Sequence, residues 1–251
     1  MAVLNGKTIS ERKPGMDQLP LRIAGLAGTF LIYIGMIFPS AAWMEGLRWF
    51  AFPVFAFLIS EGYEYSSSRR LYARRLFLFA LISEIPYDLL VNGHIPYYDA
   101  QNVLFTLLLG LGCIAALDFV REKLENTFVT LLAAVLLHWI AYNLGKAFGF
   151  EMYAVGVAIM LLFNISGHVT YTKLLQFAFI MYMAYRDYAA VLMQPSSETL
   201  YIPAPLFALA GLILIWIYNG ERGLNTLASR YIFYAIYPVM LFICWIIKLI
   251  A

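Results

Sequence analysis

Glu84 and Asp88 stand four residues apart inside a long apolar run, so on a helix both carboxyl groups project from one face. Counting 1.5 Å per residue from Arg75 puts Glu84 about 13 Å along that helix, where an unpaired carboxylate is strongly disfavoured. It must face a partner or a wet cavity, or be protonated. Two nearby carboxyl groups tend to hold one proton between them, which poises one of them for acid or base work. Pro86 lies between them and weakens the local backbone ladder. The alternative is a structural polar cluster tying helices together, and Asn102, Thr106 and Tyr87 suit either version. Glu61, followed by Gly62, closes another apolar run and faces a loop that carries four arginines by Arg75. It reads either as a reactive carboxylate or as an interfacial one paired with Arg69, Arg70 or Arg74, since a charge at a helix end reaches water cheaply.

Other chemistry-bearing residues point elsewhere. His138, in Leu-Leu-His-Trp, is the one histidine in apolar sequence and reads as a buried group bonded to a neighbouring helix. His94 and His168 fall in opposite loops, so the three histidines make no metal site. Cys113 and Cys244 each lie in an apolar run with no ligand spacing, and pack as small hydrophobes. No Ser-His-Asp spacing, phosphate-cradling glycine loop or paired-cysteine motif is present, so the common soluble catalytic templates are absent. Gly110-x-Gly112-x-x-Ala115 imitates a dinucleotide fingerprint but sits within a span, where close helix packing is its use; Gly145-x-x-x-Gly149 invites the same reading.

The elements that position these groups are dictated by composition. With 63% hydrophobic and 13% charged residues in 251, the chain is a polytopic membrane protein, all-α, without room for a soluble domain. Apolar runs separated by charged or Gly/Pro/Asn-rich breaks predict nine helices, about 19–42, 47–63, 71–91, 102–118, 127–144, 151–165, 171–193, 199–218 and 230–250. Residues 1–18 form a polar cytoplasmic segment and 19–251 one transmembrane domain. The first run ends at Ser40-Ala41-Ala42, an echo of a signal-peptidase site, yet its length and the spans that follow predict that it is retained. With the N-terminus inside, all Lys and Arg except Arg48, Lys146, Arg186 and Lys248 fall on or near the cytoplasmic side, which predicts N-in, C-out and an odd number of spans. The Asn164-Ile165-Ser166 sequon is then cytoplasmic and inert. The net charge of +2 is dispersed, with no basic stripe to suggest nucleic acid.

The stretch from Phe52-Pro53-Val54 through Glu61-Gly62-Tyr63, then Tyr72, Arg75-Leu76 and Phe79 to Leu89 with its Ser83-Glu84-Ile85-Pro86-Tyr87-Asp88 core, closely resembles the signature of the TraX family. Asn102 to Thr106, Tyr218-Asn219-Gly220 with Arg222-Gly223, and Phe233-Tyr234 with Tyr237-Pro238 follow in family order. The best-known member is a bacterial inner-membrane protein of conjugation systems implicated in N-terminal acetylation of pilin. The resemblance therefore implies a multi-pass acyltransferase of the bacterial cytoplasmic membrane, using cytoplasmic acetyl-CoA and no metal, with a pilin-like or other membrane-associated acceptor. Glu84, Asp88 or Glu61 would be the base. Arg75 with Arg74 would bind the phosphates of the donor or a developing negative charge, and Asn102, Asn219 and Arg222 would join the binding site.

The chain departs from the family pattern at three histidine positions. Ile32-Tyr33 stands where the family reads Asp-His, Tyr65-Ser66 where it often reads His-Thr, and Met240 where it reads His before Leu241. Acyl transfer needs a base for the accepting amine or hydroxyl, a role that histidine fills best near neutrality. A second reading is therefore a member that keeps the fold but not the chemistry and serves in binding, assembly or transport.

Overall fold

A computed structural model describes residues 3–4, 7–8, 15–38, 43–166, 170–193, 201–221 and 227–251. Among them are nine α-helices: α1 Gln18–Ile37, α2 Trp43–Glu64, α3 Arg69–Tyr87, α4 Val103–Leu124, α5 Thr127–Ala147, α6 Tyr153–Ser166, α7 Thr170–Leu192, α8 Ala208–Ile217 and α9 Leu227–Ile250. The only sheet described is one antiparallel pair of two-residue strands, β1 Val3–Leu4 with β2 Lys7–Thr8. The all-helical expectation holds.

Several helix starts are written in single side chains. Asp17 accepts a hydrogen bond from the Leu19 N–H at 3.1 Å, Ser68 from Leu71 at 3.3 Å, Asn102 from Leu104 at 3.1 Å and Asn126 from Phe128 at 2.9 Å. Each satisfies a backbone donor that the first helical turn cannot pair. Boundaries move from expectation where proline intervenes. α1 ends at Ile37 rather than at 42, because Phe38 precedes Pro39 and a residue before proline avoids helical torsions. Residues 39–42, with the Ser40-Ala41-Ala42 echo, lie outside the described residues. Beyond Pro86, α3 relaxes into a π-helical turn, Asp88–Asn92, closed by the left-handed Gly93. The eighth helix enters through a 3-10 turn at Ala204–Phe207, with Pro203 and Pro205 at its start.

The helices alternate in direction between two poles. At the first, the start of α1 meets the end of α2 through Gln18 and Glu61, and the start of α3 meets the end of α4 through Arg69 and Asp118 at 3.7 Å. Arg121 donates to Asn164 of α6 at 3.2 Å at the same pole. At the second, Lys248 of α9 donates to the Leu90 carbonyl at 2.6 Å, and Glu151 before α6 donates to the Gln101 carbonyl at 3.1 Å. α1 begins at the first pole and α9 ends at the second.

α2 is the hub, packing on α1, α4, α6 and α8, with Phe52, Val54, Ala56 and Phe57 buried along it. Gly110 lies against α6 so closely that an added Cβ would come within 2.2 Å of Met160 Sδ, which is the close packing expected of it. Gly112 meets nothing within 4 Å, and Gly149 is a correction. It lies beyond α5 at φ +65° against the Asp99 carbonyl, so it serves a left-handed turn and not a helix interface. The outer faces are apolar, as with Phe128, Val135 and Trp139 along α5, which is the surface a bilayer would solvate. α1, α4, α5 and the Tyr231–Ile250 part of α9 are long and apolar enough to cross a membrane; Tyr153–Ile165 and Ala204–Ile217 are apolar but shorter. These helices mark a membrane protein.

Candidate functional site

A cavity of about 370 Å³ opens at the first pole, between α1, α2, α3, α4 and α9. Ser66, Ser67 and Tyr65, in the turn between α2 and α3, stand at its mouth; Thr29, Leu104 and Tyr237 line its inner part. Glu61 sits in its wall and is only 4% exposed. The Gln18 amide donates to Glu61 Oε2 at 2.7 Å, and Gln18 Oε1 in turn accepts from the Arg22 guanidinium. Arg22 also lies over the Phe233 ring, 4.7 Å from its centre. Gln18 is held because the N-terminal segment pairs with the turn after α8. Its N–H donates to the Glu221 carbonyl at 3.0 Å, Met16 donates to Ile217 at 3.0 Å, and the Asn219 N–H donates to Met16 at 3.0 Å. Arg75 is on the cavity wall with its Nε donating to the Leu71 carbonyl at 3.3 Å, while Arg74 is exposed on the neighbouring side of α3. Arg69 spends its charge on Asp118.

Glu84 lines a different place. Asn102, fully buried, donates its amide to Glu84 Oε2 and to the Ala80 carbonyl at 2.9 Å, tying the start of α4 to α3. Among the described residues, Glu84 Oε1 is buried without a hydrogen-bond partner. Asp88 is occupied with the loop beyond α3: its carboxylate accepts from the Tyr97 N–H at 2.9 Å and from the Asn92 amide at 3.4 Å. Thr106 donates to the Glu151 carbonyl and so joins neither carboxylate. Tyr87 packs edge-on against Tyr33 with ring centres 6.5 Å apart.

Tyr33 connects the two regions. Its hydroxyl bonds the Tyr237 hydroxyl at 3.0 Å and donates to Glu151 at 3.4 Å, and Glu151 pairs with Arg48 at 3.5 Å. Tyr237 lines the cavity, so a buried polar thread runs from it toward the second pole. Met240 is one turn beyond Tyr237 on α9, whereas Tyr65 is at the mouth. The three positions that depart from the family pattern are thus divided between two places. His138 departs from expectation: among the described residues its Nδ1 is buried without a hydrogen-bond partner, so that atom makes no bond to the neighbouring α4 and α6 on which its helix packs. Asn219 serves the turn, its side chain accepting from the Glu221 N–H at 2.9 Å. Arg222 and His168 lie outside the described residues.

A second cavity of about 380 Å³ lies on the other side of Glu61 at the same pole and is polar, with Arg69, Asp118, Arg121, Lys173 and Trp216 in its wall. Gln18 and Arg22 were not legible as partners of Glu61. The one available signal was that a glutamine and an arginine, four residues apart, open an otherwise apolar helix.

Against known proteins, the family model described as TraX protein matches residues 31–248. Neither the curated proteins nor the solved structures contain a match.

Proposed function

The chain belongs to the TraX family, and from that premise we propose that it is a membrane acyltransferase whose base is Glu61. The observation that carries this reading is the cavity at the arginine-rich pole, which brings Glu61, Arg22 and Arg75 to the wall of one opening. The donor proposed is a coenzyme A thioester, acetyl-CoA being the one that the family resemblance implies, approaching from the cytoplasm. Arg75 in the wall and the exposed Arg74 beside it attract its phosphates. The acceptor nitrogen or oxygen bonds to the acyl carbon, the carbon–sulfur bond breaks, and the acceptor's proton passes to Glu61 and on to the departing thiolate. Gln18 and Arg22 hold the Glu61 carboxylate in place during that exchange. Glu84 and Asp88 take structural roles in this reading, because Asn102 and the loop beyond α3 engage them.

The surrounding proposal is a protein crossing the bacterial cytoplasmic membrane nine times, N-in and C-out, as the positive-inside rule supports for a first pole rich in arginine. The acceptor proposed is a pilin-like or other membrane-associated amine or hydroxyl. The test follows free thiol after purified protein meets acetyl-CoA and candidate acceptors. Thiol release that falls at least about 100-fold in Glu61→Gln supports Glu61 as base; release unchanged by that substitution refutes it.

A second reading, a family member retired from catalysis and acting in binding, assembly or transport, is favoured by Tyr33, Tyr65 and Met240 at the three histidine positions. A thioether and phenols of pKa about 10 are poor bases near neutrality. It expects no thiol release, tolerance of Glu84→Gln, and activity gained on combining Ile32→Asp, Tyr33→His and Met240→His.

A further inference from the structure

We infer that the cavity beside Glu61 binds a hydrocarbon chain carried by the donor, so that the group transferred is a medium-length acyl chain and not acetyl alone. This rests on the acyl-transfer reading and extends it. An acetyl group has three heavy atoms, whereas a cavity of about 370 Å³ lies in the range that holds whole small-molecule ligands. Glu61 stands near the mouth, since it lies one turn from the end of α2, and so the reaction would occupy only the outer part.

The inner part is long and apolar. Gln18 and Arg22 face its outer part, and from Arg22 to Thr29 the cavity follows α1 inward for seven residues, about 10 Å. With carbon–carbon bonds of about 1.5 Å advancing about 1.3 Å each, that length takes roughly eight carbons beyond the reacting carbonyl. Leu26, Phe55, Leu76, Leu104 and Leu107 face this space.

The hydroxyl groups around it are already engaged. Thr29 donates to the Gly25 carbonyl at 3.0 Å, Tyr72 to the Ile59 carbonyl at 3.3 Å, and Tyr237 bonds Tyr33. The two amides of a pantetheine arm would lose water there with few partners in return, a cost that a hydrocarbon chain does not meet. The large polar remainder of coenzyme A stays at the opening, between Arg75 in the wall and the exposed Arg74. A chain inside and a nucleotide outside is the arrangement that suits both halves of an acyl-CoA.

The experiment measures thiol release in lipid nanodiscs with acetyl-, butanoyl-, octanoyl- and dodecanoyl-CoA and one amine acceptor, alongside competitive binding of the unreactive ethyl and octyl thioethers of coenzyme A. Each methylene buried contributes up to about a fourfold gain, so kcat/KM for octanoyl-CoA should exceed that for acetyl-CoA at least about tenfold, and the octyl thioether should bind at least about tenfold tighter than the ethyl. Leu104→Trp should shift the preference toward short chains and Leu104→Ala toward long ones. Opposite shifts from one position cannot come from misfolding. Turnover of acetyl-CoA as fast as octanoyl-CoA overturns this inference and leaves acyl transfer standing. Turnover of no thioester removes acyl transfer, and equal binding of the two thioethers then removes this inference as well. Acetyl-CoA turnover that climbs with the alkyl length of the acceptor assigns the cavity to the acceptor and also overturns it.

Discussion

Replacing Asn102 by alanine tests how the start of α4 is locked to α3. Its side chain does three things at once: it caps α4 through the Leu104 N–H, donates to the Ala80 carbonyl, and donates to Glu84. Loss of the cap costs about 1 kcal/mol. Loss of a neutral hydrogen bond costs about another 1 kcal/mol, and loss of one to a charged group about 1.5–3 kcal/mol. Asn102 is fully buried, so water does not replace what its side chain loses. The expected destabilisation is about 3–5 kcal/mol, measured by unfolding in mixed micelles with increasing denaturing detergent. The same substitution in a Glu84→Leu background should cost only about 2 kcal/mol, because only the cap and the Ala80 bond remain to be broken. The difference, a coupling of about 1.5–3 kcal/mol, isolates the pair. A coupling below about 0.5 kcal/mol would show that Asn102 and Glu84 act independently, and would refute the view of Glu84 as a tie between helices.

Reporter fusions after Gly220 should read cytoplasmic and fusions after Ala251 external; the reverse would overturn the nine-crossing, N-in proposal. Tyr33→Phe and Tyr237→Phe should each cost about 1 kcal/mol, and together less than their sum, because one hydrogen bond is common to both; strict additivity in the same detergent titration would refute that bond. Gly149→Ala should destabilise by at least about 2 kcal/mol, since its φ is +65° and a Cβ would fall 1.8 Å from the Asp99 carbonyl oxygen; a neutral result in a thermal melt would contradict the turn. Gln18→Leu should lower turnover by a larger factor than it changes thioether affinity, because Gln18 holds the Glu61 carboxylate as well as lining the cavity; equal changes in both would refute the positioning role.

The sequence by itself determined the helices, since apolar length and spacing are local properties that a hydrocarbon solvent enforces on each segment separately. Asp17, Ser68, Asn102 and Asn126 mark helix starts, and each acts within three residues of itself. The family, too, was legible, because its motifs are runs of neighbouring residues. Only the tertiary structure decided which carboxylate meets the cavity. Glu84 and Asp88 lie one turn apart and read as a pair, yet Asn102, eighteen residues away from Glu84, engages one and the Tyr97 N–H the other. Glu61 instead met Gln18, forty-three residues distant, and Tyr33 met Tyr237 across two hundred and four. Such bonds depend on how α1, α2 and α9 pack side by side, and no local pattern encodes the distance between residues on helices that far apart in the chain.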